Sequence, residues 1–182
     1  MPQETEIKLA VENASKARAM LKAAGFHVSR RRVFEGNTIF DTAKGTLRRT
    51  RTLVRIREAG GMAILTYKGA PVPSRHKSRE EVETVIEDPH ALRTVLERLG
   101  YRPTWRYEKL RTEYRLERGA GMATLDETPI GIYLELEGSP RWIDRMARVL
   151  GFQHDDYITA SYARLHLEFC KKNRVKRGDM VF

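Results

Sequence analysis

The strongest constraint on this chain is a period-two alternation in which charged side chains recur on one face of successive segments. In an extended strand, residues two apart share a face. Glu4, Glu6 and Lys8 therefore project one way while Thr5, Ile7 and Leu9 project the other. Arg55 and Arg57 stand opposite Val54 and Ile56, and Arg79, Glu81 and Glu83 opposite Val82 and Thr84. Lys109 and Arg111 oppose Leu110 and Thr112, and Glu135 and Glu137 oppose Leu134 and Leu136. Lys68 and Asp126 join the charged face as single members. An antiparallel sheet with one solvated face also alternates, but such a face mixes in Ser, Thr, Gln and Asn. Here it carries seven bases and seven acids.

The alternation predicts strands near 4–9, 33–41, 52–58, 62–68, 79–86, 106–116, 122–127 and 131–137. Hairpin connections are expected at Glu58-Ala59-Gly60-Gly61 and at Glu127-Thr128-Pro129-Ile130-Gly131. Asn13 caps a helix over 14–24 that stops at Gly25, and Asp88-Pro89 and Ser139-Pro140 open helices that close at Leu99-Gly100 and Leu150-Gly151. A terminal helix is expected from about Thr159 to Lys172. Eight strands suffice to close a barrel whose interior holds side chains or one small ligand. The expected fold is therefore α+β: an eight-stranded antiparallel β-barrel, its apolar exterior covered by helices and its bore charged. Such a bore must be hydrated and compensated, because an isolated buried ion costs roughly several kcal/mol.

With 182 residues and no linker, the chain is expected to form one domain over 1–182, with about 171–182 as a basic tail. Ala70-Pro71-Val72-Pro73-Ser74 is the loop densest in breakers, and it is expected to move over one tunnel mouth when ligand binds. Lys and Arg number 34 against 24 Asp and Glu, a net +10 that favours anionic partners. Arg30-Arg31-Arg32 and the run from Lys171 to Arg177 hold part of that excess, as a solvated face and a frayed end. The one cysteine, Cys170, excludes an internal disulfide and a thiolate zinc cluster, and the five dispersed histidines form no zinc pattern. No apolar run approaches the roughly 20 residues of a membrane helix and no secretory leader is visible, so the expected setting is cytoplasmic, with no membrane partner. A Walker A loop is absent, and Gly119-Ala120-Gly121 is a turn.

Clustered cations suit a polyphosphate, to which Arg offers planar donor forks and Lys a point charge. Carboxylates beside them would repel it unless they hold Mg²⁺ or Mn²⁺ that bridge to phosphate oxygens. At this point the residues carry a family likeness. Glu4-Thr5-Glu6-Ile7-Lys8 matches the ExExK signature of the CYTH superfamily, the triphosphate tunnel metalloenzymes, which include class IV adenylate cyclases and thiamine triphosphatases. Its company follows in order: Asn37 with Phe40-Asp41-Thr42, Leu53-Val54-Arg55-Ile56-Arg57, Leu65-Thr66-Tyr67-Lys68-Gly69, Arg79-x-Glu81-x-Glu83, Tyr107-Glu108-Lys109-x-Arg111, Leu125-Asp126, Tyr133-Leu134-Glu135-Leu136-Glu137-Gly138 and Ser161-Tyr162.

The chain resembles this family over nearly its whole length. The resemblance implies a tunnel that binds a triphosphate through its bases and divalent metal through its acids. Glu4, Glu6, Glu135 and Glu137 are then the first metal ligands, with Asp126, Glu81 and Glu83 as further candidates. Lys8, Arg55, Arg57, Lys68, Lys109 and Arg111 clamp phosphates, and the shared face adds Arg79. Glu6 and Lys8 are the expected catalytic pair. Lys8 is either a phosphate contact or, if burial among cations lowers its pKa, a base that helps to activate water. Ser161 and Tyr162 are expected to pack the terminal helix.

The leading expectation is metal-dependent hydrolysis of inorganic triphosphate, thiamine triphosphate or a nucleoside triphosphate by a monomer or homodimer. The alternative is a class IV adenylate cyclase that converts ATP to cyclic AMP and pyrophosphate. A noncatalytic polyphosphate or RNA-binding module is a third reading, suggested by the +10 charge. Nucleic acid is disfavoured, because ordered acids suit no nucleic-acid groove and Trp105 and Trp142 read as packing residues.

Overall fold

The structure, a computed structural model, describes residues 3–72 and 74–182. Pro73, part of the breaker-rich loop, lies outside the described residues, as do Met1 and Pro2. Eight strands are present: β1 (Gln3–Val11), β2 (His27–Thr42), β3 (Leu53–Ala59), β4 (Met62–Lys68), β5 (Lys77–Ile86), β6 (Tyr101–Arg115), β7 (Met122–Thr128) and β8 (Gly131–Glu137). They close into an antiparallel barrel in the order β1-β5-β4-β3-β2-β6-β7-β8. The two anticipated hairpins join β3 to β4 and β7 to β8.

The five helices are α1 (Ala14–Ala23), α2 (Thr46–Thr50), α3 (Pro89–Arg98), α4 (Pro140–Val149) and α5 (Tyr162–Asn173). The side chains of Asn13, Asp88, Ser139 and Ser161 accept from backbone N–H groups of the first turns of α1, α3, α4 and α5. Beyond α3 and α4 the chain turns at Gly100 and Gly151 with φ of +87° and +86°, where a side chain would be strained. No helix among the described residues is long and apolar enough to cross a membrane.

The apolar core lies outside the barrel, between wall and helices. Ile7, Leu9, Leu125, Leu134 and Leu136 form one cluster with Ala17 and Leu21 of α1 and Ile143, Met146 and Ala147 of α4. Phe40 and Ile56 pack against Leu96 of α3. Each fully buried Leu or Ile contributes about 1.5–3 kcal/mol. The outward apolar phase of each strand thus fixes the inward charged phase, since a one-residue slip would exchange the faces.

Several sequence expectations need correction. β2 begins at His27 and β6 at Tyr101, several residues earlier than the alternation suggested, and β2 pairs with β6 through bulges around Arg30–Val33 that break period two. Within that stretch Arg32 meets Glu127 and Arg30 meets Glu113. The short helix α2 was not anticipated, because five residues carry too little periodicity. The terminal helix starts at Tyr162, not Thr159. The end of the chain is not frayed: Met180 is 1% exposed against Tyr107 and Tyr162. Its N–H donates to Arg106 O at 3.0 Å, and its carbonyl accepts from Glu108 N–H at 2.8 Å. The segment Gly178-Asp179-Met180-Val181-Phe182 is too short for a periodic signature, and the pocket of Met180 is assembled by residues distant in sequence.

Candidate functional site

The barrel encloses a cavity of about 610 Å³. Of the charged residues that the alternation placed on one face, all except Asp126 line it; Asp126 is fully buried beneath Lys109, Arg111 and Tyr162. The structure adds three members to this interior, Lys77 on β5, Glu35 on β2 and Glu113 on β6. With the rim residues counted, twelve bases and eight acids line the cavity, so part of the +10 net charge faces it.

The densest network spans β1, β6, β7 and β8. Arg111 donates from Nε to Asp126 Oδ1 at 2.7 Å and from Nη2 to Asp126 Oδ2 at 2.6 Å, and it also bonds Glu135. Lys109 Nζ and the Tyr162 hydroxyl both donate to Asp126 Oδ2 at 2.8 Å. Lys8 Nζ lies 3.0 Å from Glu6 Oε1 and 3.1 Å from Glu135 Oε1, above the Tyr162 ring. Burial alone would raise the carboxyl of Glu135, but Lys8 and Arg111 hold it well below the usual carboxylate range. Glu6 is held low in the same way by Lys77, Lys8 and Lys68.

Burial would lower the pKa of Lys8, but Glu135 and Glu6 outweigh burial and raise it, as suits a phosphate contact.

A second network joins β3, β4 and β5. The Arg55 guanidinium donates to the Tyr107 hydroxyl and to Thr66 Oγ1, each at 3.1 Å, and to Glu83 Oε1 at 3.3 Å. Arg57 reaches the same Glu83 carboxylate at 3.4 Å, and Thr66 donates to it at 2.7 Å. Nearby, Lys68 Nζ bridges Glu4 Oε2 at 2.7 Å and Glu81 Oε1 at 2.9 Å, and Arg79 Nε lies 3.7 Å from Glu4.

Around the β1–β5 and β1–β8 seams the acids crowd. Glu137 has no ion pair or side-chain hydrogen bond among the described residues. Burial, then Glu4, Glu6 and Glu135, push its carboxyl up to about 7. Burial and Glu4 push Glu81 to about 7, against the pull of Lys68. Lys77 bonds Glu6 Oε1, yet burial, with Lys8 and Arg79 adding repulsion, brings its amine down to about 8.

Among the described residues no three acidic, His or Cys side chains gather around one point as a ready metal cluster, because bases hold the carboxylates apart. The donor set nevertheless fits a divalent cation. Its oxygens are hard ligands, and the unpartnered Glu137, facing three other carboxylates, marks a local deficit of positive charge. Glu4, Glu6, Glu135 and Glu137 are the residues that could hold such an ion. Asp126 differs, since both its oxygens already serve Arg111, Lys109 and Tyr162.

One mouth has a different lining. Asp41 accepts from the backbone N–H groups of Thr42, Leu47 and Arg48 at 2.7, 2.9 and 3.0 Å and so fixes α2 at the rim. Ile39, Leu47, Leu53 and Trp105 line the cavity here, with Lys44, Arg48, Arg102 and Arg177.

Sequence reasoning missed Lys77 because it started β5 two residues late; continuing the alternation back from Arg79 finds it. Glu35 could have been found the same way, two residues before Asn37 on β2. Tyr107, two residues before Lys109, shares the charged face of β6, whereas Tyr162 begins a helix, where the alternation gives no signal for its hydroxyl.

A family model described as CYTH domain matches residues 2–162. A candidate adenylate cyclase of Methanocaldococcus jannaschii is 32% identical over 173 residues, which span 89% of this chain and 97% of that protein. A Pyrococcus horikoshii protein of known structure has a TM-score of 0.76 at 25% identity, covering 91% of this chain and 98% of its own. A Hippeastrum candidate adenylyl cyclase, described as having a dominant triphosphatase activity, shares the fold with a TM-score of 0.63 at 21% identity, covering 96% of this chain and 97% of its own.

Proposed function

Because this chain belongs to the CYTH domain family, we propose that it is a divalent-metal-dependent enzyme that hydrolyses an inorganic or organic triphosphate inside the barrel. The observation that carries the reading is the convergence of bases and acids on one enclosed cavity of about 610 Å³. Its bases outnumber its acids, which favours a polyanion, and the acids set among those bases favour one accompanied by a cation.

Lys8, Arg55, Arg57, Lys68, Arg79, Lys109 and Arg111 bind the phosphate oxygens and neutralise charge that builds up as the P–O bond breaks. Glu4, Glu6, Glu135 and Glu137 would hold Mg²⁺ or Mn²⁺, which would supply Lewis-acid polarisation of the phosphates. Asp126 and Glu83 position the bases: Asp126 orients Lys109 and Arg111, and Glu83 orients Arg55 and Arg57. Water adds to the terminal phosphorus as its bond to the bridging oxygen breaks; the diphosphate part takes the electron pair and the terminal group is released as orthophosphate.

The α2 mouth favours a second reading. Its apolar lining has no use for bare polyphosphate but could seat the organic part of ATP, as a class IV adenylate cyclase requires. A noncatalytic RNA module is disfavoured, because the paired bases face the bore of a closed barrel. Incubation with inorganic triphosphate, thiamine triphosphate and ATP, each with Mg²⁺ or Mn²⁺, tests these readings. Orthophosphate release supports hydrolysis, cyclic AMP with pyrophosphate supports the cyclase, and no metal-dependent turnover of any of the three refutes both.

A further inference from the structure

Glu6 Oε1 is shared by two ammonium groups, Lys8 and Lys77. The two are not equivalent. Lys8 has a second anchor in Glu135 at 3.1 Å and lies 5.2 Å from the centre of the Tyr162 ring. Lys77 has no acidic partner besides Glu6 among the described residues. Its backbone is well fixed: Lys77 is the last of four residue pairs joining β1 to β5, directly opposite Glu6, and the preceding His76 is tied to Asp144 of α4 at 2.7 Å. Only the four-carbon side chain is free to choose another partner, and it already lines the cavity beside Arg79 and Glu4.

We propose that Lys77 is an exchangeable counter-ion: in the ligand-free tunnel it neutralises Glu6, and when a divalent cation arrives with triphosphate it leaves that carboxylate and binds the phosphate chain. The assignment rests on the metal–triphosphate reading above. Its physical basis is that a divalent cation at Glu6 and an ammonium on the same carboxylate repel each other, whereas a nearby phosphate oxygen offers the displaced ammonium a charge-assisted hydrogen bond. Lys77 therefore makes the two ligands cooperative. It opposes metal alone, favours triphosphate, and couples the two reciprocally.

Mn²⁺ binding followed by electron paramagnetic resonance, and binding of a non-hydrolysable methylene-bridged triphosphate at saturating Mn²⁺ followed by calorimetry, test this without turnover. Lys77→Met is expected to bind Mn²⁺ alone about tenfold more tightly than wild type and, with Mn²⁺ bound, the triphosphate about tenfold more weakly. Lys77→Arg should restore triphosphate binding, and Lys77→Gln provides a second neutral variant should the Met protein melt early. Unchanged or weaker Mn²⁺ affinity in both neutral variants would overturn the proposal, as would unchanged triphosphate affinity. If wild type itself binds neither ligand, the functional reading falls and this assignment with it. If wild type binds both and the neutral variants match it, only the role of Lys77 falls.

Discussion

Two sectors of the same tunnel answer their charges in opposite ways. Around Asp126 and Glu135 the carboxylates are satisfied: Asp126 accepts from Arg111, Lys109 and Tyr162, and Glu135 from Lys8 and Arg111. Around the β1–β5 and β1–β8 seams, Glu4, Glu6, Glu81 and Glu137 face one another, and two of them are pushed up to about 7. The first sector is a finished ionic framework whose bases are already aimed. The second is short of positive charge, the condition of a site whose cation comes with its ligand. Buried ions persist only where partners offset desolvation, so the difference separates charges answered within the tunnel from charges left partly unanswered.

The largest effect that sharpens this contrast is expected in the finished sector. Asp126→Ala strands two buried cations and should cost about 3–5 kcal/mol in urea unfolding. A loss below about 1 kcal/mol would show that this sector is not the framework. Next, Glu6→Gln should lower metal-dependent triphosphate turnover about 100-fold while shifting the unfolding free energy by about 1 kcal/mol or less. Wild-type turnover would remove Glu6 from the working sector.

A smaller effect concerns pH. In an unfolded chain Glu titrates near about 4.3, whereas folded Glu81 and Glu137 are raised to about 7. The folded state keeps these protons longer, so their contribution to stability is present at acid pH and is lost as pH rises from about 4.3 to about 7. In EDTA the melting temperature should fall across that window, and Mg²⁺ should reverse the fall. Glu137→Gln should raise the EDTA melting temperature at pH 8 by about 2–4 °C; a decrease would contradict the charge deficit. The smallest change is expected from Tyr162→Phe, which keeps the ring beside Lys8 and Lys109 but removes one of several donors to Asp126, costing about 1 kcal/mol by thermal or urea unfolding.

The amino-acid sequence by itself determined the strand phase and hence the barrel: Leu134 and Leu136 must face outward, which leaves Glu135 and Glu137 nowhere to project but inward. It also determined the caps of α1, α3 and α4, since capping and glycine stops act within a few residues. Which charge answers which was decided only by the tertiary structure. Alternation places Glu6 and Glu137 on one face with equal weight, yet two lysines hold Glu6 ionised while three carboxylates press Glu137 toward its neutral form. The docking of Met180, the hydroxyls at Asp126 and the apolar mouth beside α2 likewise join residues far apart in the chain. Periodicity encodes direction relative to a strand, whereas ion pairing falls off with distance through space, and that distance exists only once the barrel has closed.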